Sequence, residues 1–385
     1  MTNKSYLKWI EISKSALLHN IAVFNKISAS GSQAMAVVKS NAYGHGIEEV
    51  ASIAEGAGVS WFGVNELSEG LILRNVLSEK ASILIMGAID PATAIQVVQN
   101  ELKTIVYTDR IVEALAQASS RLKKQCVVHV KVETGLQRQG IVVSKLANLI
   151  KKINNASFLT LEGLSTHFAN IEDTTDHTYA YKQLAVFNEA IEIAKSLCEK
   201  ELVVHCACSA AALAVPETGF SLFRMGIGMY GMWPSKETQL SVLKDGGGKN
   251  LELRPPLTFK CKIGQVKDVQ TGSLIGYGCT EQATHNLKIA VLPVGYYDGI
   301  DRGLSSKGQV LVNGKTAYIR GRICMNMCMI DVTHIEKVKE GDEVIILGSD
   351  GKKSVSADFV ASQIDTINYE VVTRLGAHLP RLVVD

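Results

Sequence analysis

The stretch AMAVVKSNAYGHGIEEVASIAEGAG, residues 34–58, holds one complete structural unit. A run of apolar and β-branched side chains leads into Lys39. A turn bracketed by Gly44 and Gly46 follows, and a helical pattern begins at once. A period of two marks a strand and a period near 3.6 marks a helix. The same succession repeats. Apolar, β-branched runs recur at 61–65, 83–87, 103–108, 127–133, 159–166, 203–209 and 222–230. Helical stretches separate them. The clearest is YAYKQLAVFNEAIEIAKSLCEK (179–200), with apolar residues three to four apart and a lysine-rich end. Strand alternating with helix means a parallel sheet covered on both faces.

With residues 34–39 counted, eight such strands fall within about the first 240 residues. That is the size of a (β/α)8 TIM-like barrel, usually about 250 residues. A doubly wound open sheet is the competing arrangement. The texture changes at SVLKDGGGKN (241–250), a glycine-rich linker signal. Beyond it, helical periodicity is absent until 356–370. Short strands take over at 258–269, 287–294, 309–312, 316–320, 326–333 and 343–347, divided by turn pairs such as Asn313-Gly314 and Asp350-Gly351. LKWIEIS (7–13) reads as one more strand of this part. The expected fold class is therefore α/β. An N-terminal (β/α)8 barrel covers 12–245, and a C-terminal mostly-β domain covers 246–385 together with 1–11.

Composition narrows the function. A chain of 385 residues is long enough for two cores. Its net charge of +2 argues against nucleic-acid or membrane-surface binding, which need a concentrated basic face. No apolar run is long enough for a membrane span. MTNKSYLKWIEISKS lacks the apolar region of a signal peptide. The eight cysteines therefore read as reduced thiols in a cytoplasmic protein rather than as a disulfide framework.

A barrel enzyme builds its active site at the C-terminal ends of its strands. The residues expected there are Lys39 with Tyr43, Lys131 leading to Arg138, His167, His205 with Ser209, and Arg224 followed by Gly226-Ile227-Gly228. Each has an ordinary reading taken alone: a lysine at a strand end is usually a solvated cap, and a lone histidine is usually a satisfied core residue. HCACS suggests a metal, but strand alternation sends Cys206 and Cys208 to the face opposite His205, so no tetrahedral site closes and none is expected. Cys324 and Cys328, placed in one strand, read as packing thiols. GIGMYG is too short and too late in the chain for a dinucleotide fingerprint. The joint occurrence decides. A lysine can form a Schiff base with an aldehyde cofactor. Glycine-flanked amides and Ser209 can hold a phosphate. An arginine on the neighbouring strand can meet a ring nitrogen. Together they describe a pyridoxal 5′-phosphate site.

At these residues the sequence resembles the alanine racemases, of the barrel-fold (type III) class of pyridoxal-phosphate enzymes. AVVKSNAYGHG matches the cofactor-lysine motif of that family. The likeness continues through VKVETGLQRQG, THFAN, VHCACSAA, FRMGIGMYG, GYGCT, VGYYDG, GRICMNMCMIDV and TINYEVVTRLG, across essentially the whole chain. The resemblance implies that Lys39 carries the cofactor and is one catalytic base. Tyr43, Ser209, Gly226, Ile227 and Tyr369 would bind the cofactor phosphate. His167 would lie against its ring, Arg224 at its ring nitrogen, and His205 beside Arg224. Arg138 would contact the cofactor hydroxyl and the substrate carboxylate, oriented by Lys131, a position carbamylated in several members. Tyr277 would be the second base, delivered by the other subunit of a homodimer. Met325 and Tyr296 would line the substrate pocket from that subunit, and Arg302, Arg322 and Ile367 its access corridor.

The implied reaction interconverts L- and D-alanine, one base per face of Cα, Lys39 serving the D isomer and Tyr277 the L isomer, and would supply D-alanine for peptidoglycan. An arginine keeps its own proton and only donates. The ring nitrogen it meets stays unprotonated, which favours racemisation over transamination. Departures from the family pattern are Asn326 for aspartate, Glu172 for aspartate, Cys208 for asparagine and His378 for arginine. Three rival readings stay open. One is a racemase for serine or for a broader range. Another is a barrel-type decarboxylase, although those enzymes prefer a carboxylate where Arg224 stands. The third is a cofactor-binding regulator without a second base.

Overall fold

The computed structural model describes residues 6–27, 31–244 and 251–385. The linker expected at 241–250 lies outside these from Asp245 onward. The chain divides into two compact units. One comprises Ala16–Ala42 and Val50–Arg254; the other comprises Met1–Ser15, Tyr43–Glu49 and Pro255–Asp385.

After β1 (Lys8–Ser13), which belongs to the second unit, the first unit supplies eight parallel strands. They are β2 (Gln33–Val37), β3 (Trp61–Val64), β4 (Ser82–Ile85), β5 (Lys103–Val106), β6 (Cys126–Lys131), β7 (Leu159–Ser165), β8 (Val203–His205) and β9 (Leu222–Met225). The ladder runs β8-β7-β6-β5-β4-β3-β2-β9. Ser221 N–H donates to Val204 O at 3.1 Å and Arg224 N–H to Ala207 O at 3.1 Å, which bridges the seam between its ends. The sheet is thus a barrel rather than an open doubly wound sheet. Met35, Trp61, Leu84, Ile105 and Leu222 form one buried cluster of its core. Helices cover the outside. In Asp109–Leu122 the buried residues are Ile111, Val112, Leu115, Ala118 and Ser119; in Val143–Asn154 they are Leu146, Leu149, Ile150 and Ile153. Both sets fall on one helical stripe, and each large side chain so buried contributes about 1.5–3 kcal/mol.

Several strands are shorter than the sequence pattern suggests. The first ends at Val37, not Lys39. The run at 222–230 is a strand only to Met225; Ile227–Tyr230 is a 3-10 turn closed by Gly231 at φ 73°. β8 stops at His205, because a new helix opens at Ser209.

The second unit continues with β10 (Leu257–Lys262), β11 (Gln265–Val269), β12 (Leu274–Ile275), β13 (Glu281–Gln282), β14 (Leu287–Leu292), β15 (Gln309–Val312), β16 (Lys315–Arg320), β17 (Cys328–Asp331), β18 (Glu343–Asp350), β19 (Lys353–Val355) and β20 (Arg381–Val384). The main sheet runs β11-β14-β17-β16-β15-β18-β10-β1-β20, with β19 on β18 and a separate β12-β13 ribbon. β1 pairs antiparallel with β10 and parallel with β20. The run at 258–269 is two strands, parted at Ile263 and Gly264. Asn313 and Gly314, at φ 49° and 70°, make the two-residue hairpin turn between β15 and β16. Cys324 lies in a turn, its N–H on Met327 O, and does not share a strand with Cys328.

Candidate active site

Lys39 follows the C-terminal end of β2. The Tyr230 hydroxyl donates to Val37 O at 2.8 Å and pins that end. Ser40, Asn41, Ala42 and Tyr43 then hold φ between 50° and 55°. Four successive non-glycine residues in the left-handed region make a turn that L-residues resist by about 1–2 kcal/mol each. Glu69, in the first turn of helix Leu67–Val76, offsets part of this. Its Oε1 accepts the Ser40 N–H at 2.5 Å, and its Oε2 accepts those of Asn65 and Glu66 at 2.8 and 3.3 Å. Burial lowers the Lys39 pKa; Arg138 and Arg224 lower it further, and Glu69 opposes them.

Arg224, on β9, is buried and fully engaged on two faces. Nη1 donates to His205 Nδ1 at 3.0 Å and His205 O at 3.1 Å. Nη2 donates to His167 Nδ1 at 2.9 Å, Cys206 O at 2.8 Å and Thr166 O at 3.1 Å. A guanidinium has no acceptor. Both histidines therefore accept at Nδ1 and carry their proton on Nε2. Burial, then the Arg224 charge, holds both far below the usual histidine range, so both are neutral. Lys131, the last residue of β6, is pushed well down by burial, Arg224 and Arg138. The loop to Arg138 is tied by Glu133, which accepts the N–H groups of Gly135 at 2.5 Å and Arg138 at 3.3 Å.

Ser209, buried at the start of a short helix, accepts Gly226 N–H at 2.9 Å and Gly228 N–H at 3.3 Å through Oγ. A Cβ at Gly228 would fall 2.3 Å from the Phe24 ring, so only glycine fits there. Ile227 follows within the same buried turn. Burial raises the Cys206 thiol to about 12 and raises Cys208 as well, which leaves both protonated. The Glu172 backbone carbonyl accepts from the hydroxyls of Ser235 and Thr238 at 2.8 and 3.0 Å.

The remaining expected residues lie in the second unit. The Tyr43 and Tyr369 rings stand 6.2 Å apart. Tyr277, Tyr296, Arg302, Arg322, Met325 and Asn326 line one open cavity. Gly276 and Gly278, at φ 73° and 74°, flank Tyr277; a Cβ at Gly278 would lie 2.5 Å from Arg322 Nη1. The loop carrying Tyr296 is fixed from beneath by buried Asp298, which holds Gly295 N–H at 3.0 Å, Lys8 at 2.7 Å and His378 at 2.9 Å. His378 stacks on Tyr297 with ring centroids 4.5 Å apart. Ile367 is exposed.

Sequence reasoning passed over Glu69, His129 and Glu162. Glu69 carried no local signal, since a glutamate in a first helical turn is ordinary. His129 did: it sits two residues before Lys131 on the same face of the strand.

With the geometry in place, comparison with known proteins decides the family. The family model for the alanine racemase N-terminal domain matches residues 12–234, and that for the alanine racemase C-terminal domain matches 256–383. The chain belongs to the alanine racemase family. It is 43% identical to an alanine racemase of Leptospira interrogans, over 99% of this chain and 97% of that protein. Identity to an alanine racemase of Methanococcus maripaludis is 36%, over 97% of this chain and 98% of the other. Among solved structures, the alanine racemase of Bacillus anthracis with bound L-Ala-P superposes with a TM-score of 0.91 at 32% identity, covering 99% of this chain and 96% of that one. The alanine racemase of Bartonella henselae with covalently bound pyridoxal phosphate gives 0.84 at 25% identity, covering 99% and 100%.

Proposed function

We propose that this chain interconverts L-alanine and D-alanine as a pyridoxal-phosphate-dependent homodimer with shared active sites. The observation that carries the proposal is Lys39: an amine made less basic by burial and by two arginines, carried on a left-handed turn at the end of a barrel strand. The donor set fits the cofactor. A cation-rich rim suits a phosphate, a low-pKa amine suits an aldehyde, and a permanently protonated guanidinium suits a ring nitrogen that is to remain unprotonated. When bound, pyridoxal phosphate supplies the aldehyde that takes the substrate amine and the electron sink that makes the Cα proton removable.

The residues then divide the work. Lys39 Nζ would hold the cofactor, and as a free amine in the substrate complex it would take or return the Cα proton on one face. Tyr277 of the partner subunit does so through Oη on the other face. Ser209, Gly226, Ile227, Tyr43 and Tyr369 bind the phosphate, and His167 packs on the ring. Arg224 orients the ring nitrogen without surrendering a proton. Arg138 holds the substrate carboxylate. The lowered pKa of Lys131 leaves a free amine able to take up carbon dioxide, releasing one proton as the carbamate forms, and that anion would steer Arg138. Tyr296 and Met325 of the partner subunit close a pocket sized for a methyl group. One extra atom changes affinity by only about 1–3 kcal/mol, so serine is expected as a slow substrate. We place the reaction in the cytoplasm, supplying D-alanine for peptidoglycan; the eight free thiols support a reducing compartment. Among the described residues no helix is long and apolar enough to cross a membrane.

The test is chiral analysis of products from a panel of L-amino acids with cofactor supplied. L-Alanine should end as an equal mixture of enantiomers, and no other substrate should react as fast. L-Alanine left unchanged by cofactor-loaded protein would overturn the proposal.

A further inference from the structure

A chain of hydrogen bonds runs inward from Arg224 through the barrel. The His205 N–H on Nε2 points at His129 Nδ1, 3.0 Å away. That contact places the His129 proton on its own Nε2, which donates to Glu162 Oε2 at 2.9 Å. Both Glu162 oxygens in turn accept from Lys103 Nζ at 2.7 Å. Neither imidazole has any exposed surface. Only one set of tautomers satisfies the chain. A proton added to either ring would set donor against donor, and burial holds both rings neutral.

The backbone is shaped around this chain. Pairing between β6 and β7 slips after Val128: Val128 faces Leu161, but His129 faces Gly163. Glu162 is the extra residue of a bulge, a device that re-aims a side chain. Gly163 leaves the imidazole its seat, because a Cβ there would stand 2.5 Å from His129 Nδ1. Trp61 presents its ring to His129 at a centroid distance of 5.7 Å and an interplanar angle of 66°. Lys103 lies 4.2 Å above the same indole. Lys103 and Trp61 are the first residues of their strands, at the N-terminal mouth. The chain therefore joins a half-shielded charge pair at that mouth to the guanidinium at the other end.

We propose that Glu162, His129 and Lys103 are positioning residues that lock the tautomer of His205 and, through it, the orientation of Arg224. This rests on the reading of Arg224 as the partner of the cofactor ring nitrogen. With the Glu162 carboxylate gone, His129 loses its reason to keep the proton on Nε2. His205 can then carry its proton on Nδ1, where it opposes the Arg224 N–H, and the guanidinium turns. The chemical consequence is leakage. In that side reaction alanine is oxidised to pyruvate, which takes its oxygen from water, while the cofactor is reduced and keeps the amino group.

The variants are Glu162→Gln, which keeps size but has one acceptor oxygen, drawn to the Lys103 cation, so that its amide N–H is left to face His129 Nε2, and Lys103→Met, at the barrel mouth. Two readouts are needed on holoenzyme labelled with nitrogen-15 histidine. Imidazole nitrogen resonances should show His129 and His205 protonated on Nε2 alone in the wild type, and as mixed tautomers in Glu162→Gln. Pyruvate released per D-alanine formed should rise about tenfold in Glu162→Gln, the worth of one charge-assisted hydrogen bond, and less in Lys103→Met. Should Glu162→Gln fail to fold, Lys103→Met reads the same chain. Folded variants with wild-type tautomers and wild-type pyruvate yield would overturn the proposal. A wild type in which both rings keep their proton on Nε2, yet which leaves alanine unracemised, would support the lock and refute the functional reading instead.

Discussion

The rim residues of the barrel and the aromatic face of the β unit handle their polar groups in opposite ways. Lys131, His205, Ser209 and Arg224 are buried, and Arg224 alone makes at least five hydrogen bonds within the chain. On the β unit, Tyr277 is 71% exposed, Met325 55% and Tyr296 44%. Burial lets one chain set the protonation of its own lysines and histidines, as the lowered pKa values of Lys39, Lys131 and His205 display. An exposed cluster of phenols and thioethers is the usual mark of a surface meant to be covered. The first region is finished within the chain. In the proposed homodimer the second is finished only when a partner supplies the other half.

The hardest test of this contrast is complementation. Lys39→Ala and Tyr277→Phe should each lose about 10²–10⁴-fold in rate, the usual worth of a proton-transfer group. Mixed and exchanged, they should recover roughly a quarter of wild-type activity, the share of intact sites in a two-fold dimer. No recovery after demonstrated exchange would put both bases in one chain. Acid should then separate the regions. His129, His167 and His205 have folded pKa values below the ordinary 6.5, so the unfolded chain takes up protons first as pH falls. The stability they contribute is complete above pH 6.5 and drains away below it. With all three neutral in the folded state, the slope should approach about 4 kcal/mol per pH unit. Urea unfolding across this range measures it; a flat profile would mean that the rings take up protons without unfolding.

Glu69→Gln probes the footing of Lys39. Glu69 raises the basicity of this amine, so its removal should move the acidic limb of the kcat profile, which reports the substrate complex, to lower pH, with a rate loss of about tenfold from the weakened turn. An unmoved limb would assign that basicity to other groups. The smallest effect is expected for Tyr230→Phe. Loss of the hydroxyl bond to Val37 O should destabilise by about 1 kcal/mol in denaturant titration, with catalysis little changed.

Much of this was legible in the sequence, and the exceptions share a cause. Alternation of strand and helix gave the barrel, and reading the strand ends collected Lys39, Lys131, His205 and Arg224. Strand limits were overrun at 222–230, because Gly226 and Gly231 break a run that is apolar apart from Arg224 and the glycines. Ser-Asn-Ala-Tyr does not announce four successive left-handed residues, and the Glu69 carboxylate that helps to hold the turn comes from far along the chain. Glu162 was invisible for a related reason. In a regular strand its alternation would be read without the bulge that re-aims it, and a slip in pairing is a property of two strands together. Local pattern finds groups placed by their own segment and misses those placed by another.

The turn after Lys39 has one more implication. A backbone wound against its natural hand has few neighbouring conformations, since relaxing one torsion drives the next into collision. It does not yield gradually. In the proposed mechanism, an amine on such a pedestal breaks and remakes a bond while the main chain beneath it stays still, so reproducibility would come from a scarcity of alternatives rather than from bulk.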